Sequence, residues 1–490
     1  MSRSNERRAV TAAGYYRVVL LRLLFFASAA LASAACNRGP DTRPDLVVIV
    51  MDTARPDYLS VYGHPRPTSP FLVEFAQQGT VYERAYSTSC WTLPAHASLF
   101  TGAAPQVHGA NQTTPVLGPQ LPVLAEQLQA AGYRTAGFSA NAWVSKSSGL
   151  ARGFESFANL WRRAEGAEAP AGEHHTVSGV KEWLAQADQR PSFLFVNLIE
   201  PHAPYRPSWE HAAPFFALQT AWDAATQALF PKGRSPNWLT VRHYWGSNPL
   251  QELEWQWMRA LYEGELRETD AIVRDLVAAV DAAPSGRPRL VYVLSDHGEN
   301  LGDHGHISHV FNLYDSNVRI VLLGRGPGIA AGKRDTQLVG IRDLYPTLLA
   351  AAGLPAPASN GETYDLRGPM PEQRLLGAAL DVPKLTIESF PDEMERAPQL
   401  EMHKRELEAV ISARWKMIRG SDGSCLAFDL LADPHESHPV PCAELEPSVR
   451  TGLEAWLDLQ RRRRVGDATP TSAPQDPATR AALQSLGYVE

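Results

Sequence analysis

The run SDHGENLGDHGHISH, residues 295–309, gathers Asp296, His297, Glu299, Asp303, His304, His306 and His309. A folding core has no use for so many carboxylates and imidazoles in one stretch, whereas a divalent cation does. Asp52 closes the apolar run DLVVIVMD and offers another carboxylate. Together with one hydroxyl oxygen, Asp52, Asp296 and His297 form a donor set that suits zinc or manganese. A hydroxyl is available in STSCWTLPAHASLFTG, residues 87–102. Pro94 suits the first position of a helix, which leaves Thr92 just outside its N-terminus, where unpaired N–H groups and the helix dipole favour an oxyanion. A hydroxyl held there beside a dication has its pKa drawn down toward alkoxide. An ordinary N-cap threonine is the structural role that the same pattern allows.

These residues need elements to bring them together. DLVVIVMD, SFLFVNLI, RLVYVLSD and VRIVLLG are short apolar runs of the kind that form buried strands. Between them, TSPFLVEFAQQG carries helix start and stop signals, LPVLAEQLQAAGYRTAGFSA reads as helix then strand, and ELRETDAIVRDLVAAVDAA as a long amphipathic helix. This alternation predicts an α/β fold with a large, mostly parallel sheet covered by helices on both faces. In such sheets function gathers where strands end. Asp52, Asn141, His202, Asp296 and His297 all follow strand-like runs. Residues 204–257 are rich in Trp, Phe and Pro without clean periodicity, and read as an insertion that lines or lids a pocket, or simply covers a helix. Beyond Gly353 shorter elements predict a small sheet subdomain.

The 490 residues, 44% of them hydrophobic and 20% charged, describe a globular protein. The net charge of -7 gives no reason to expect a nucleic-acid partner. Residues 1–36 combine a basic start with LLFFASAALASAAC, a run of signal-peptide length. Small residues before Cys36 suggest lipidation of that cysteine, and hence an exported, membrane-attached lipoprotein, periplasmic or on the outer surface; plain secretion is the alternative. Cys425 and Cys442 could close a small loop in an oxidising compartment. The expected organisation is a signal segment at 1–36, a spacer at 37–44, a catalytic domain at 45–353, a smaller α+β subdomain at 354–460, and a linker and tail at 461–490.

LVVIVMDTARPDYLSVYG, TLPAHASLFTG, NLIEPHAPY and VLSDHGENLGDHG, in that order, resemble the sulfatases of the alkaline phosphatase superfamily. The likeness extends from about Asp45 to Pro434. It implies an alkaline-phosphatase-like sandwich with a small C-terminal antiparallel sheet, and a hydrolase acting on esters. The family signature of Cys or Ser, any residue, Pro, Ser, then any residue or Arg, before a run ending in Thr-Gly, sets Thr92 in the nucleophile place, with Ala95 and His96 on the serine and arginine. Sulfatases convert that Cys or Ser to formylglycine. Threonine carries a methyl group on the carbon that would become the aldehyde, so no formylglycine is expected here. Threonine is the nucleophile in relatives that handle phosphoesters, and this implies a phosphodiester or phosphoglycerol-type substrate cleaved through a Thr92 intermediate.

The metal expected is one divalent ion, zinc, manganese or calcium, on Asp52, Thr92, Asp296 and His297. His297 in place of the family's asparagine moves the preference from calcium toward zinc or manganese. By the same resemblance, Asn141 contacts the transferred group, while His202 and His309 bind its oxygens or protonate the leaving alkoxide. His309 stands where the family has a lysine. His96 is a further catalytic candidate, with packing or capping as its other role. A small-molecule, glycan or lipid ester is the expected substrate. The alternatives are a sulfuric ester hydrolase and a catalytically dead binding protein on the same scaffold.

Overall fold

The computed structural model describes residues 41–160, 174–186, 188–232, 237–245, 249–355, 362–383, 403–463 and 477–485. The expected signal segment and Cys36 lie outside them. The described residues from Arg43 onward belong to one compact unit.

The main sheet is built from β1 (Asp45–Met51), β2 (Thr80–Tyr86), β3 (Arg134–Ser139), β4 (Ser156–Asn159), β5 (Ser192–Leu198) and β6 (Arg289–Leu294). A two-stranded ribbon of β7 (Asn300–Leu301) and β8 (Ile307–Ser308) follows, after which β9 (Arg319–Ile320), β10 (Leu322–Arg325) and β11 (Lys333–Gly340) return to the main sheet. Its order is β11-β2-β10-β6-β1-β5-β3-β4, with β9 on β2. The pairs β6-β1, β1-β5, β5-β3, β3-β4 and β2-β11 are parallel; β10 runs antiparallel to both of its neighbours. The α/β expectation therefore holds. The run VRIVLLG, expected as one strand, is divided between β9 and β10.

The continuous apolar runs follow from burial on both faces. Leu46, Val48 and Val50 of β1 enter one core layer and Val47, Ile49 and Met51 the other. On β5, Phe193 and Phe195 face the first layer while Leu194, Val196 and Leu198 face the second. Because strand side chains alternate, a strand covered on both sides has no polar face. Each such side chain contributes roughly 1.5–3 kcal/mol on burial.

Two helices matter most to the site. Thr92–Thr101 is buried along its whole length and ends at Gly102 with φ 68°. A Cβ at Gly102 would come within 2.8 Å of the Tyr345 ring, so both backbone and packing require glycine there. Glu252–Ala282 is a 31-residue helix that lays Trp255, Met258, Leu261, Tyr262, Leu266, Val273, Leu276 and Val280 against the second layer. It starts well before the amphipathic segment read from sequence and takes in the end of the stretch expected to be irregular. The rest of that stretch holds short helices at Trp209–Ala212, Gln219–Leu229 and Trp238–Trp245.

The C-terminal antiparallel sheet runs β12 (Leu376–Leu380), β13 (Leu407–Ile411), β14 (Trp415–Gly420), β15 (Cys425–Asp429) and β16 (Val440–Pro441). One face, with Ala409, Ile411, Ile418 and Phe428, joins the first core layer. The other, with Val410, Met417 and Ala427, packs on Leu453 and Leu457 of the helix Pro447–Arg462, which extends past the expected start of the tail. Cys425 and Cys442 form a disulfide.

Candidate active site

Parallel strands present their C-terminal ends on one edge of the sheet, so residues far apart in sequence converge there. Asp52 follows β1, Asn141 follows β3, His202 follows β5, and Asp296 and His297 follow β6. The helix bearing Thr92 points its N-terminus at the same place. It begins two residues earlier than expected: Trp91 is the N-cap, Thr92 is the first helical residue and Pro94 the third. Thr92 therefore does not act as an N-cap, and its hydroxyl is left for the cluster.

Asp52, Thr92, Asn141, Asp296 and His297 are fully buried. The Asn141 amide donates to Asp52 Oδ2 at 2.7 Å and to Thr92 Oγ1 at 3.2 Å. Thr92 Oγ1 lies 3.4 Å from His297 Nε2. His297 Nδ1 donates to the Gly298 carbonyl at 2.9 Å, which fixes the tautomer and leaves Nε2 as the lone-pair nitrogen. That nitrogen sits 3.8 Å from Asp52 Oδ1 and 3.4 Å from Asp296 Oδ2. Gly298 is required by close approach, since a Cβ would meet the Ser316 carbonyl oxygen at 2.0 Å.

The electrostatics are those of a site built around a cation. Asp52 Oδ1 and Asp296 Oδ2 are buried with no hydrogen-bond partner. Burial, reinforced by the Asp296 charge, holds the Asp52 carboxyl well above its ordinary range. Burial pushes Asp296 up to about 7 against several backbone donors. His297 is driven down to about 4 by burial and by the neighbouring His309. Two carboxylates and one neutral imidazole, with ligand atoms within 4.8 Å of one another, fit a divalent ion, whose charge would reverse both carboxylate shifts. Among the described residues this is the one such group. His304, stacked on Tyr314, and His306, bonded to Tyr244, are turned to other partners.

His309 and His202 form a second layer. The His309 ring lies 4.6 Å from His297 and 5.1 Å from His202, centroid to centroid. His309 Nδ1 is 3.2 Å from Glu299 Oε1, and His202 Nδ1 is 2.6 Å from the Ala203 carbonyl. Burial lowers His309 to about 3 and His202 to about 4. His96 is placed differently from the other candidates. Its Nδ1 bonds the Thr92 carbonyl at 2.9 Å, and its ring packs edge-on against Phe100 and Phe195. Its Nδ1 also lies 3.5 Å from Asp296 Oδ2, so the ring sits between the aromatic core and the carboxylate pair.

Sequence reasoning passed over Asn197, Tyr262 and Arg55, and named Glu299 only among the metal-capable side chains of its loop. Asn197 is a fully buried amide at the end of β5 that favours the charged form of Asp52. An asparagine inside the apolar run SFLFVNLI was its only signal. Tyr262, on the long helix, accepts from Arg55 N at 2.9 Å and donates to the Thr53 carbonyl at 2.8 Å. No local pattern marks such a contact.

A mostly parallel sheet with these side chains at its strand ends defines a metal-dependent hydrolase of the alkaline phosphatase superfamily. The Sulfatase family model matches residues 44–354, and the chain belongs to that family. It is 24% identical to arylsulfatase K of Canis lupus familiaris, an alignment covering 90% of this chain and 88% of that protein. Among solved structures it is similar to the phosphonate monoester hydrolase of Agrobacterium radiobacter, with TM-score 0.66 and 20% identity over 86% of this chain and 96% of that one. It is also similar to a 2-O GAG sulfatase, with TM-score 0.64 and 17% identity over 91% and 98%.

Proposed function

We propose that the protein hydrolyses a sulfate ester, with Thr92 as the covalent acceptor of the transferred group. The observation that carries the nucleophile is the position of Thr92 Oγ1, held by Asn141 and beside His297 and Asp296 at the N-terminus of a buried helix. The arylsulfatase K name of the curated relatives supports sulfate over the phosphoester expected from sequence.

Asp52, Asp296 and His297 would hold the divalent ion, which supplies positive charge that acidifies a neighbouring hydroxyl and neutralises developing negative charge. The Asp296 carboxylate, whose Oδ2 is buried without a hydrogen-bond partner, would take the Thr92 proton. Thr92 Oγ1 forms a bond to sulfur as the sulfur–oxygen bond to the leaving group breaks. The leaving alkoxide takes a proton from His202 or His309, which the negative charge of the bound ester must first draw into the imidazolium form because burial keeps the resting rings neutral. Water then attacks sulfur and gives a proton to the imidazole, the sulfur–oxygen bond to Thr92 breaks, and Thr92 recovers its proton from Asp296. Asn141 Nδ2 and the first N–H groups of the helix stabilise the oxyanion.

A phosphoester is the second reading, favoured by the threonine itself: it cannot become formylglycine, and phosphothreonine is an intermediate that water opens. Metal-loaded protein given radiolabelled aryl sulfate and aryl phosphodiester in parallel separates the two. Label recovered on the Thr92 peptide from one ester identifies the transferred group. Turnover that survives Thr92→Ala overturns this role; the expected loss is at least about a thousandfold. Export and lipid attachment at Cys36 belong to the same proposal, supported by the basic and apolar N-terminal segment and by the Cys425–Cys442 disulfide.

A further inference from the structure

We propose that Arg55 is a positioning residue whose guanidinium sets the separation of the two strand exits that carry the cation ligands. The proposal rests on the reading of Asp52, Asp296 and His297 as that cation site.

The problem it addresses is mechanical. Pairing between β1 and β6 ends at Val50 and Leu294, so the ligands lie just past the last ladder contact. Beyond it, two carboxylates face each other and repel, and Thr53 adopts a left-handed backbone with φ 58°, unfavourable for a β-branched residue. Something else must hold the two loops in register.

Arg55 is three residues from Asp52 and uses every donor of its side chain for this purpose. Nε and Nη2 donate to Asp57 at 3.1 and 2.7 Å, within its own loop. Nη1 and Nη2 donate to Asp303 at 2.5 and 3.1 Å, and Nη1 also to the Glu299 carbonyl at 2.8 Å, all in the loop after β6. Glu299 is two residues from His297, so the span from one ligand to the next is short. The guanidinium itself is 5% exposed, and the Tyr58 ring lies 4.8 Å from its centre. A planar fork bonded on both sides fixes a distance; a lysine ammonium, as a point charge, does not. The backbone N–H of Arg55 and the Thr53 carbonyl are further tied through Tyr262.

The partners make this testable without unfolding the protein. Asp57 and Asp303 side chains are 37% and 29% exposed, so water can solvate them if the guanidinium is lost. Metal-stripped full-length wild type, Arg55→Met, Arg55→Lys and Asp52→Asn would each be titrated with Mn2+, following free ion by electron paramagnetic resonance. Thermal unfolding of the metal-free forms is recorded beside it. Arg55→Met is expected to weaken Mn2+ binding roughly 10- to 100-fold, with the metal-free midpoint little changed and with turnover recovering at saturating Mn2+. Arg55→Lys restores only part of the affinity. Wild-type affinity in Arg55→Met, with binding lost in Asp52→Asn, overturns the clamp and leaves the cation site standing. Failure of wild type itself to bind overturns the site and the clamp with it. Should Arg55→Met not fold, Asp303→Asn removes one side of the fork alone, and unchanged affinity there overturns the proposal.

Discussion

Two buried clusters of charge in this molecule are built in opposite ways. On β14, Lys416 is fully buried, with its ammonium 2.7 Å from Asp315 and 2.7 Å from Glu436. Burial works against that ammonium, yet the two carboxylates hold its pKa above the ordinary value. At the strand exits, Asp52 and Asp296 are equally buried, but their nearest cationic candidate is an imidazole that burial and His309 keep neutral. The first cluster contains its own cation and is structural. The second lacks one, and its orphaned oxygens make it a place for something not encoded in the chain. Buried carboxylates by themselves therefore do not mark a site; the absence of a compensating side chain does.

The largest test of this contrast is Lys416→Met. It strands the buried Glu436 carboxylate and removes the cation from the partly exposed Asp315, and is expected to cost about 3–5 kcal/mol in urea unfolding. Asp52→Asn, by contrast, relieves repulsion and should leave the metal-free protein at least as stable while abolishing Mn2+ binding. Equal destabilisation by both substitutions would erase the distinction. Next in size is the disulfide that braces the structural region. Replacing Cys425 and Cys442 by serine opens a loop of sequence separation 17 and should lower stability by about 3 kcal/mol, with turnover of the folded enzyme retained.

The most gradual effect is in the pH dependence of the metal-free site. The folded pKa of Asp296 lies near 7, above the 3.8 of an unperturbed aspartate, so the native state holds its proton where the unfolded state releases it. That contribution is full below about pH 4 and is lost as pH rises toward about 7. Asp296→Asn removes it. The variant should gain stability over metal-free wild type across this window, at about 1.4 kcal/mol per pH unit, as read from denaturant midpoints at several pH values. Bound Mn2+ should abolish the trend in wild type, and a stability difference independent of pH would count against the buried pair.

Much of this arrangement is legible in the sequence. Burial on both faces writes itself into a parallel strand as an unbroken apolar run, so β1, β5 and β6 stood out, and with them Asp52, Asp296 and His297 at their ends. The dense SDHGENLGDHGHISH loop was equally plain, although only two of its members, Asp296 and His297, face the proposed ion, while His304 and His306 turn to Tyr314 and Tyr244. β2 and β11 gave no comparable signal, since Thr80–Tyr86 carries Glu83 and Arg84 and Lys333–Gly340 opens with exposed polar residues. The threonine in the nucleophile place pointed to phosphoesters, whereas the relatives' names favour sulfate; one side chain speaks to the mechanism and leaves the ester itself open.

The sequence by itself determined the layers, the strand ends and the donor types, because these depend on local periodicity and on chemistry carried by single residues. The tertiary structure alone decided that His96 packs on Phe100 and Phe195, that Glu299 sits against His309, and that Arg55 bridges the loops after β1 and β6. Each of those outcomes joins residues far apart in the chain or turns a side chain toward one of several possible partners. Such choices are settled by packing and hydrogen-bond competition in three dimensions, which no run of neighbouring residues encodes.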